Sequence, residues 1–190
     1  VRRATPDGSL QLALAYAPER LLHLMRAAPR PAPDRAALLA RIADGHSAAV
    51  MSGAIGARPV VMLHGRADGL IPVNHSSRAY YAVHRSAGGP SGLHYYEVVH
   101  GQHFDALLGL PGFAERYVPL QAWIATCLDR VYARLTGGAA LPPSQVLRSR
   151  PRASGPGGVE PLSAAHLGEL RADPGDDAIV WRERTLYVPD

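Results

Sequence analysis

No lysine occurs in this 190-residue chain; all 20 basic positions are arginine, set against 16 acids. The arginines are scattered among the acids, with Arg2-Arg3 and the segment "RSRPR" the nearest approach to clusters. A nucleic-acid-binding arm needs a dense basic run, so the net charge of +4 reads as an arginine-rich solvated surface, with no nucleic-acid partner. Cysteine is nearly absent too. A single Cys127 excludes an internal disulfide framework and any cysteine-built metal cluster, and its setting "WIATCLDRVY" gives it a packed helix face. Because secreted proteins can also lack disulfides, this count leaves the compartment open.

Long apolar runs are missing as well. None approaches the roughly 20 residues that a membrane-crossing helix needs, so no membrane span is expected. The segment "LQLALAY" is too short and lacks the flanks of a signal peptide. The first residue is Val1, and the chain is expected to be a piece of a longer protein.

What is present suits one sizeable core: 47% of residues are apolar and 19% charged. Leu10, Leu14, Leu21, Leu22 and Met25 recur at helical spacing, interrupted at Pro18. "APRPAPD" is a connector, and Asp34 is the expected N-cap of a helix through Leu38, Leu39 and Ile42. Pro59 to Leu63 is apolar at every position, the pattern of a strand in a parallel sheet covered on both faces. A polar turn follows, then an expected helix from Val73 to Arg85 with Asn74 as cap. "LHYYEVV", Leu93 to Val99, is the next strand by its aromatic and β-branched content. A helix from about Val118 to Leu135 stops at Gly137.

Strand, helix, strand, helix with short connections gives the α/β class and a parallel sheet with right-handed crossovers. Beyond Gly138 the stretch "ALPPSQVLRSRPRASGPGGVEP" is rich in Pro, Gly and Arg and is expected to run extended over the surface. A terminal hairpin is expected in "DDAIVWRERTLYVPD", with Arg182 to Arg184 at its turn.

Two polar loops leave the carboxyl ends of the two strands, where open α/β sheets bind their ligands. One carries Asp68 and the other His103, so adjacent strands can bring a carboxylate to an imidazole. The aspartate would fix the ring's tautomer and leave its second nitrogen to take a proton from a nucleophile. Asp followed by His is the order of the last two members of the Ser…Asp…His series. The plainer alternative is a turn aspartate and an unrelated loop histidine. The nearest approach to G-x-S-x-G is "GHSAA" around Ser47, but a helical stretch precedes it where the elbow requires a strand. Ser52, Ser76, Ser77 and Ser144 have no elbow context, so the nucleophile is expected outside this chain. His94, His100, His103 and Asp105 do not form a metal motif, and no metal or other cofactor is expected. His64 is expected to pack, to bond within its loop or to line the site.

The segments "PVVMLHGRADGLIPVNHSSRAYYAVHR", "YYEVVHGQHFDALLGLPGFAERYVPL" and "GAALPPSQVLRSRPR" together resemble the D-(−)-3-hydroxybutyrate oligomer hydrolases, also called hydroxybutyrate-dimer hydrolases. The resemblance runs from about Leu10 to the end. It implies that residues 1–137 are the C-terminal portion of an α/β-hydrolase catalytic domain and 138–190 an added tail. Family members are longer and carry their serine in the part before this region. The partners it implies are therefore 3-hydroxybutyrate oligomers, as small-molecule substrate, and a missing N-terminal portion of the same enzyme. The implied activity is serine-type ester hydrolysis with Asp68 and His103 in the triad, and the implied location is periplasmic or extracellular. On that reading Arg66 would pair with the terminal carboxylate of the oligomer, beside His64. Two alternatives stay open: another esterase of the feruloyl esterase or tannase kind, and a non-catalytic α/β binding module. The second predicts Asp68 and His103 more than about 5 Å apart.

Overall fold

The computed structural model describes residues 34–88 and 92–190. The helices expected between Leu10 and Ala28 lie outside the described residues. Helix α1 (Arg35–Ala49) belongs to one compact unit and Gly53–Asp190 to another. Asp34 caps α1: its carboxylate accepts the Ala36 N–H at 3.0 Å, satisfying one of the four donors a helix start leaves unpaired.

In the larger unit, β1 (Val60–Gly65), β2 (Leu93–Val98) and β3 (Gln145–Leu147) form a parallel sheet in the order β1-β2-β3. Val60 stands opposite Leu93 and Gly65 opposite Val98, so both strands end level. Helix α2 (Ser77–Ser86) links β1 to β2, and α3 (Gln121–Leu135) links β2 to β3. Successive residues of a strand face opposite sides, and both sides are covered here. Val60, Met62, Leu93, Tyr95 and Val146 pack with Tyr81 of α2 and with Ile179, Leu186 and Val188. Val61, Leu63, Tyr96, Val98 and Leu147 pack with Trp123 and Cys127 of α3. That is why these strands are apolar at nearly every position.

Two helix starts differ from the sequence pattern. The helix expected from Val73 is split into a short 3-10 turn (Val73–His75) and α2, because Ser76 leaves the helical region at φ −135°, ψ −95°. Asn74 caps nothing; its side-chain oxygen accepts a bond from Arg78 Nη1 at 3.0 Å. Helix α3 starts at Gln121 and not Val118, since Val118 pairs with Gly101 in an isolated parallel bridge. At its far end Gly137, at φ +88°, lets the Gly138 N–H close on the Ala133 carbonyl at 2.8 Å.

The larger difference lies past Gly138. Where composition suggests a surface segment, Gln145, Val146 and Leu147 are the third strand, each at most 1% exposed. Ser144 Oγ accepts the Tyr95 N–H at 3.0 Å and donates to Tyr81 Oη at 3.0 Å. The Gln145 side chain accepts the Arg171 N–H and donates to the Arg171 carbonyl, at 2.9 and 2.8 Å. The chain then forms a two-residue ladder, β4 (Ser154–Gly155) with β5 (Gly158–Val159), and a short helix α4 (Ala164–Leu167). Last come β6 (Val180–Arg182) and β7 (Thr185–Tyr187), an antiparallel hairpin. Its turn residues Glu183 and Arg184 both take positive φ, 49° and 57°, the geometry whose twist suits a two-residue hairpin. Leu186 and Val188 fasten this end of the chain to the core.

Candidate active site

Strand β1 ends on Gly65, and the choice of glycine brings the next loop within reach of its neighbour. A Cβ at Gly65 would stand closer than 3.0 Å to the Gly101 carbonyl group and the Gln102 nitrogen. The two loops are laced by backbone bonds, Arg66 N–H to the Val98 carbonyl at 2.8 Å and Ala67 N–H to the Gly101 carbonyl at 2.9 Å. The chain then turns at Asp68, whose Oδ1 accepts the N–H groups of Leu70 and Ile71 at 2.9 and 2.8 Å.

The other oxygen, Oδ2, faces two imidazoles: His103 Nδ1 at 2.8 Å and His64 Nε2 at 3.1 Å. A carboxylate only accepts, so each of these nitrogens carries the proton. Asp68 is 6% exposed. Burial by itself raises its pKa, but the bonds from Ile71, His103, His64 and Leu70 outweigh burial and bring it down to about 2. Asp68 is therefore an anion across the neutral range.

His103 sits on a loop pinned at several points. Ser149 Oγ donates to the Val99 carbonyl, and the Val99 N–H bonds the Leu147 carbonyl at 3.0 Å. His100 adopts a left-handed φ of 61°, and its carbonyl accepts the Val118 N–H at 3.1 Å. Two residues past His103, Asp105 takes the N–H groups of Leu120 and Gln121 at 2.9 and 2.7 Å, so this loop also caps the start of α3. Phe104 presents its ring edge-on to the imidazole, with centroids 4.3 Å apart. The His103 side chain is 27% exposed, and no described residue hydrogen-bonds its Nε2. With Nδ1 protonated, that nitrogen holds a lone pair ready to accept a proton. Leu70, Ile71 and Phe104, all exposed, set apolar side chains next to the pair in sequence.

Other residues singled out from the sequence lie as follows. Arg66, expected opposite a substrate carboxylate, instead directs Nε to Glu97 and donates from Nη2 to the Pro189 carbonyl at 2.7 Å. Glu97 is fully buried and also takes two bonds from Arg78, at 2.8 and 2.6 Å, and one from Tyr95 Oη at 2.7 Å. Burial raises its pKa, but Arg78, Arg66 and Tyr95 together hold the carboxyl below its ordinary value. This network gives no period or motif, so sequence reasoning missed it; Arg78 on a core helix and Glu97 in an apolar strand were the only signs. His64, expected to pack, to bond within its loop or to line the site, makes the loop bond, from Nε2 to Asp68 four residues on.

Ser47 lies inside α1. Ser76, Ser77 and Ser144 spend their hydroxyls on Pro72, Tyr95 and Tyr81. His94 Nδ1 bonds the Pro142 carbonyl at 2.7 Å, and burial lowers its pKa. Among the described residues no group of three His, Cys, Asp or Glu is arranged to hold a metal ion. No helix among them is long and apolar enough to cross a membrane. A cavity of about 720 Å3 opens at the amino ends of the strands, lined by Arg85, His94 and Trp181 among others. The carboxylate–imidazole pair is at the opposite end of the sheet.

The molecule is thus an α/β chain whose parallel strands deliver an ionised carboxylate to an imidazole with a free nitrogen, an arrangement suited to proton transfer. The chain belongs to the 3HB-oligomer hydrolase (3HBOH) family, whose family model matches residues 21–190. It is 44% identical over 133 residues to proteins named D-(−)-3-hydroxybutyrate oligomer hydrolase from Burkholderia mallei (strain SAVP1) and Burkholderia pseudomallei (strain K96243). Those residues are 70% of this chain and 19% of each relative, so the match spans about a fifth of the relatives' length. No solved structure matches the chain.

Proposed function

We propose that this chain supplies the aspartate and histidine of a serine-type ester hydrolase that cleaves D-3-hydroxybutyrate dimers and short oligomers to monomer. The observation that carries the reading is the 2.8 Å bond between Asp68 and His103 at the carboxyl ends of adjacent parallel strands. Membership of the 3HB-oligomer hydrolase family supports the substrate class.

In the proposed reaction His103 Nε2 takes the proton of a serine as its oxygen adds to the ester carbonyl. The C–O bond of the ester then breaks, and the proton passes from Nε2 to the departing hydroxyl of the next unit. In the second half His103 takes a proton from water, whose oxygen adds to the acyl carbonyl; the bond between the acyl carbon and serine Oγ then breaks, and Nε2 returns the proton to Oγ as the acid leaves. Asp68, held as an anion, orients the ring and stabilises its cationic form during both transfers. No metal or organic cofactor enters these steps. The serine is proposed to lie in the family's sequence outside the 190 residues, and the place of action outside the cytoplasm.

The test joins this chain to the non-matching remainder of the Burkholderia pseudomallei relative and follows release of 3-hydroxybutyrate from its dimer. Turnover that is lost in His103→Ala, with little turnover of methyl ferulate, is the expected result. Full activity in His103→Ala would sink the mechanism. Preference for the ferulate ester would favour the feruloyl esterase reading.

A further inference from the structure

The cavity of about 720 Å3 at the amino ends of the strands has charged walls that the proposed reaction does not use. Parallel topology accounts for the charge. The helix of a strand–helix–strand unit runs back toward the amino end of the sheet, and a cation is favoured in its last turn. Arg85 occupies that turn in α2 and Arg134 in α3. Both line the cavity, and no Asp or Glu does. Among the described residues no carboxylate pairs with either guanidinium.

The segment past Gly138 adds an apolar wall through Leu141, Ile179 and Trp181, facing the same space as Leu93 of β2. Two neutral polar groups complete the lining. Tyr81 is buried; its Oη accepts a bond from Ser144 at 3.0 Å, and no described residue takes its proton. His94 Nδ1 donates to the Pro142 carbonyl, so its Nε2 holds a lone pair, and no described residue bonds that nitrogen. Burial keeps this imidazole neutral by lowering its pKa, against the bond to Pro142.

We infer that this cavity is a binding site for an aliphatic hydroxycarboxylic acid. Its carboxylate is held by the guanidinium groups, its hydroxyl donates to His94 Nε2, and its chain lies against the apolar wall. Each lining group excludes a different alternative. An inorganic anion leaves the apolar wall uncovered. A plain fatty acid leaves the His94 lone pair without a donor, and a dicarboxylate sets a second anion against it. An uncharged apolar molecule takes water from two guanidinium groups and returns nothing. The volume falls within the roughly 300–1,000 Å3 typical of small-molecule sites. The inference goes beyond the proposed function, because neither His103 nor a serine takes part.

The experiment titrates the 190-residue chain with 6-hydroxyhexanoate, hexanoate and adipate by calorimetry. The ring signals of His94, Trp181 and His103 are followed by NMR in the same titrations. The hydroxy acid should bind at least fivefold more tightly than either of the others, shifting His94 and Trp181 and leaving His103 in place. Joint replacement Arg85→Gln and Arg134→Gln should weaken that binding at least tenfold with an unchanged circular dichroism spectrum. The comparison of the three acids needs no variant and decides the role of the hydroxyl by itself. The inference is overturned by no saturable binding, by hexanoate or adipate binding as tightly, or by binding indifferent to the two arginines. Shifts confined to His103 overturn it too.

Discussion

His103 Nδ1 donates to Asp68 Oδ2 at 2.8 Å across 35 positions of sequence, and the same oxygen receives His64 Nε2 at 3.1 Å. One carboxylate oxygen therefore fixes two rings, while its partner oxygen is held by the N–H groups of Leu70 and Ile71. Replacing Asp68 with Asn keeps the shape but can turn an N–H toward the imidazoles, which then lose their acceptor. In the reconstituted hydrolase Asp68→Asn should lower kcat about 10^3- to 10^4-fold with KM nearly unchanged, since orientation of the base matters most in the transition state. Steady-state kinetics on the hydroxybutyrate dimer checks this.

The low pKa of Asp68 also makes the chain's stability depend on acid. The folded value, about 2, lies below the ordinary 3.8 expected when unfolded. A depressed carboxyl stabilises the fold above its unfolded pKa and loses that contribution as pH falls through the folded one. The shift corresponds to about 2 kcal/mol, present above roughly pH 5 and lost progressively down to pH 2. Urea unfolding at a series of pH values should show that loss in the parent chain and a smaller one in Asp68→Asn.

Gly65 is where sheet geometry becomes site geometry. A methyl there meets the backbone of Gly101 and Gln102, which cannot rotate aside as a side chain would. Gly65→Ala should cost about 1–3 kcal/mol by overpacking and part the loops that hold Asp68 to His103. The expected result is a lowered Tm of the chain and, in the joined protein of the proposed function, loss of dimer turnover. Gly69→Ala is the control, because a Cβ at Gly69 meets nothing within 4 Å and should leave the Tm in place.

How much of this was legible depended on which physical signal each element carries. Strands β1 and β2 announced themselves because both faces pack against apolar side chains, which makes "VVML" and "LHYYEV" nearly continuous apolar or aromatic runs. The Asp68–His103 pairing could be anticipated from strand adjacency alone, since loops leaving level strand ends must be neighbours. Strand β3 was illegible. Three residues show no period, and Pro142, Pro143 and the arginines around it give the segment a surface composition. It is buried by pairing with β2 and by Val146 and Leu147 packing in the core, and Gln145 bonds Arg171 26 residues away, contacts that no local pattern encodes. The engagement of Arg66 was hidden for the same reason, as its partners Glu97 and Pro189 are distant in sequence.

Glu97 offers the sharpest contrast between buried and surface charge. Its carboxylate is wholly buried and receives Arg78, itself only 10% exposed at the side chain, along with Arg66 and Tyr95. Removing one partner of such a set leaves another charge in a poorly solvated place, and the cost is the desolvation left uncompensated. Glu97→Gln preserves volume and should still destabilise the chain by about 3–5 kcal/mol, a large share of the total stability of a domain this size. Arg148, which pairs with Asp177 at 2.7 Å but is 46% exposed, has water as an alternative partner. Arg148→Ala should cost no more than about 1 kcal/mol. Urea midpoints of the two variants separate the cases: a large shift for Glu97→Gln beside a small one for Arg148→Ala fits the buried network, and equal shifts contradict it.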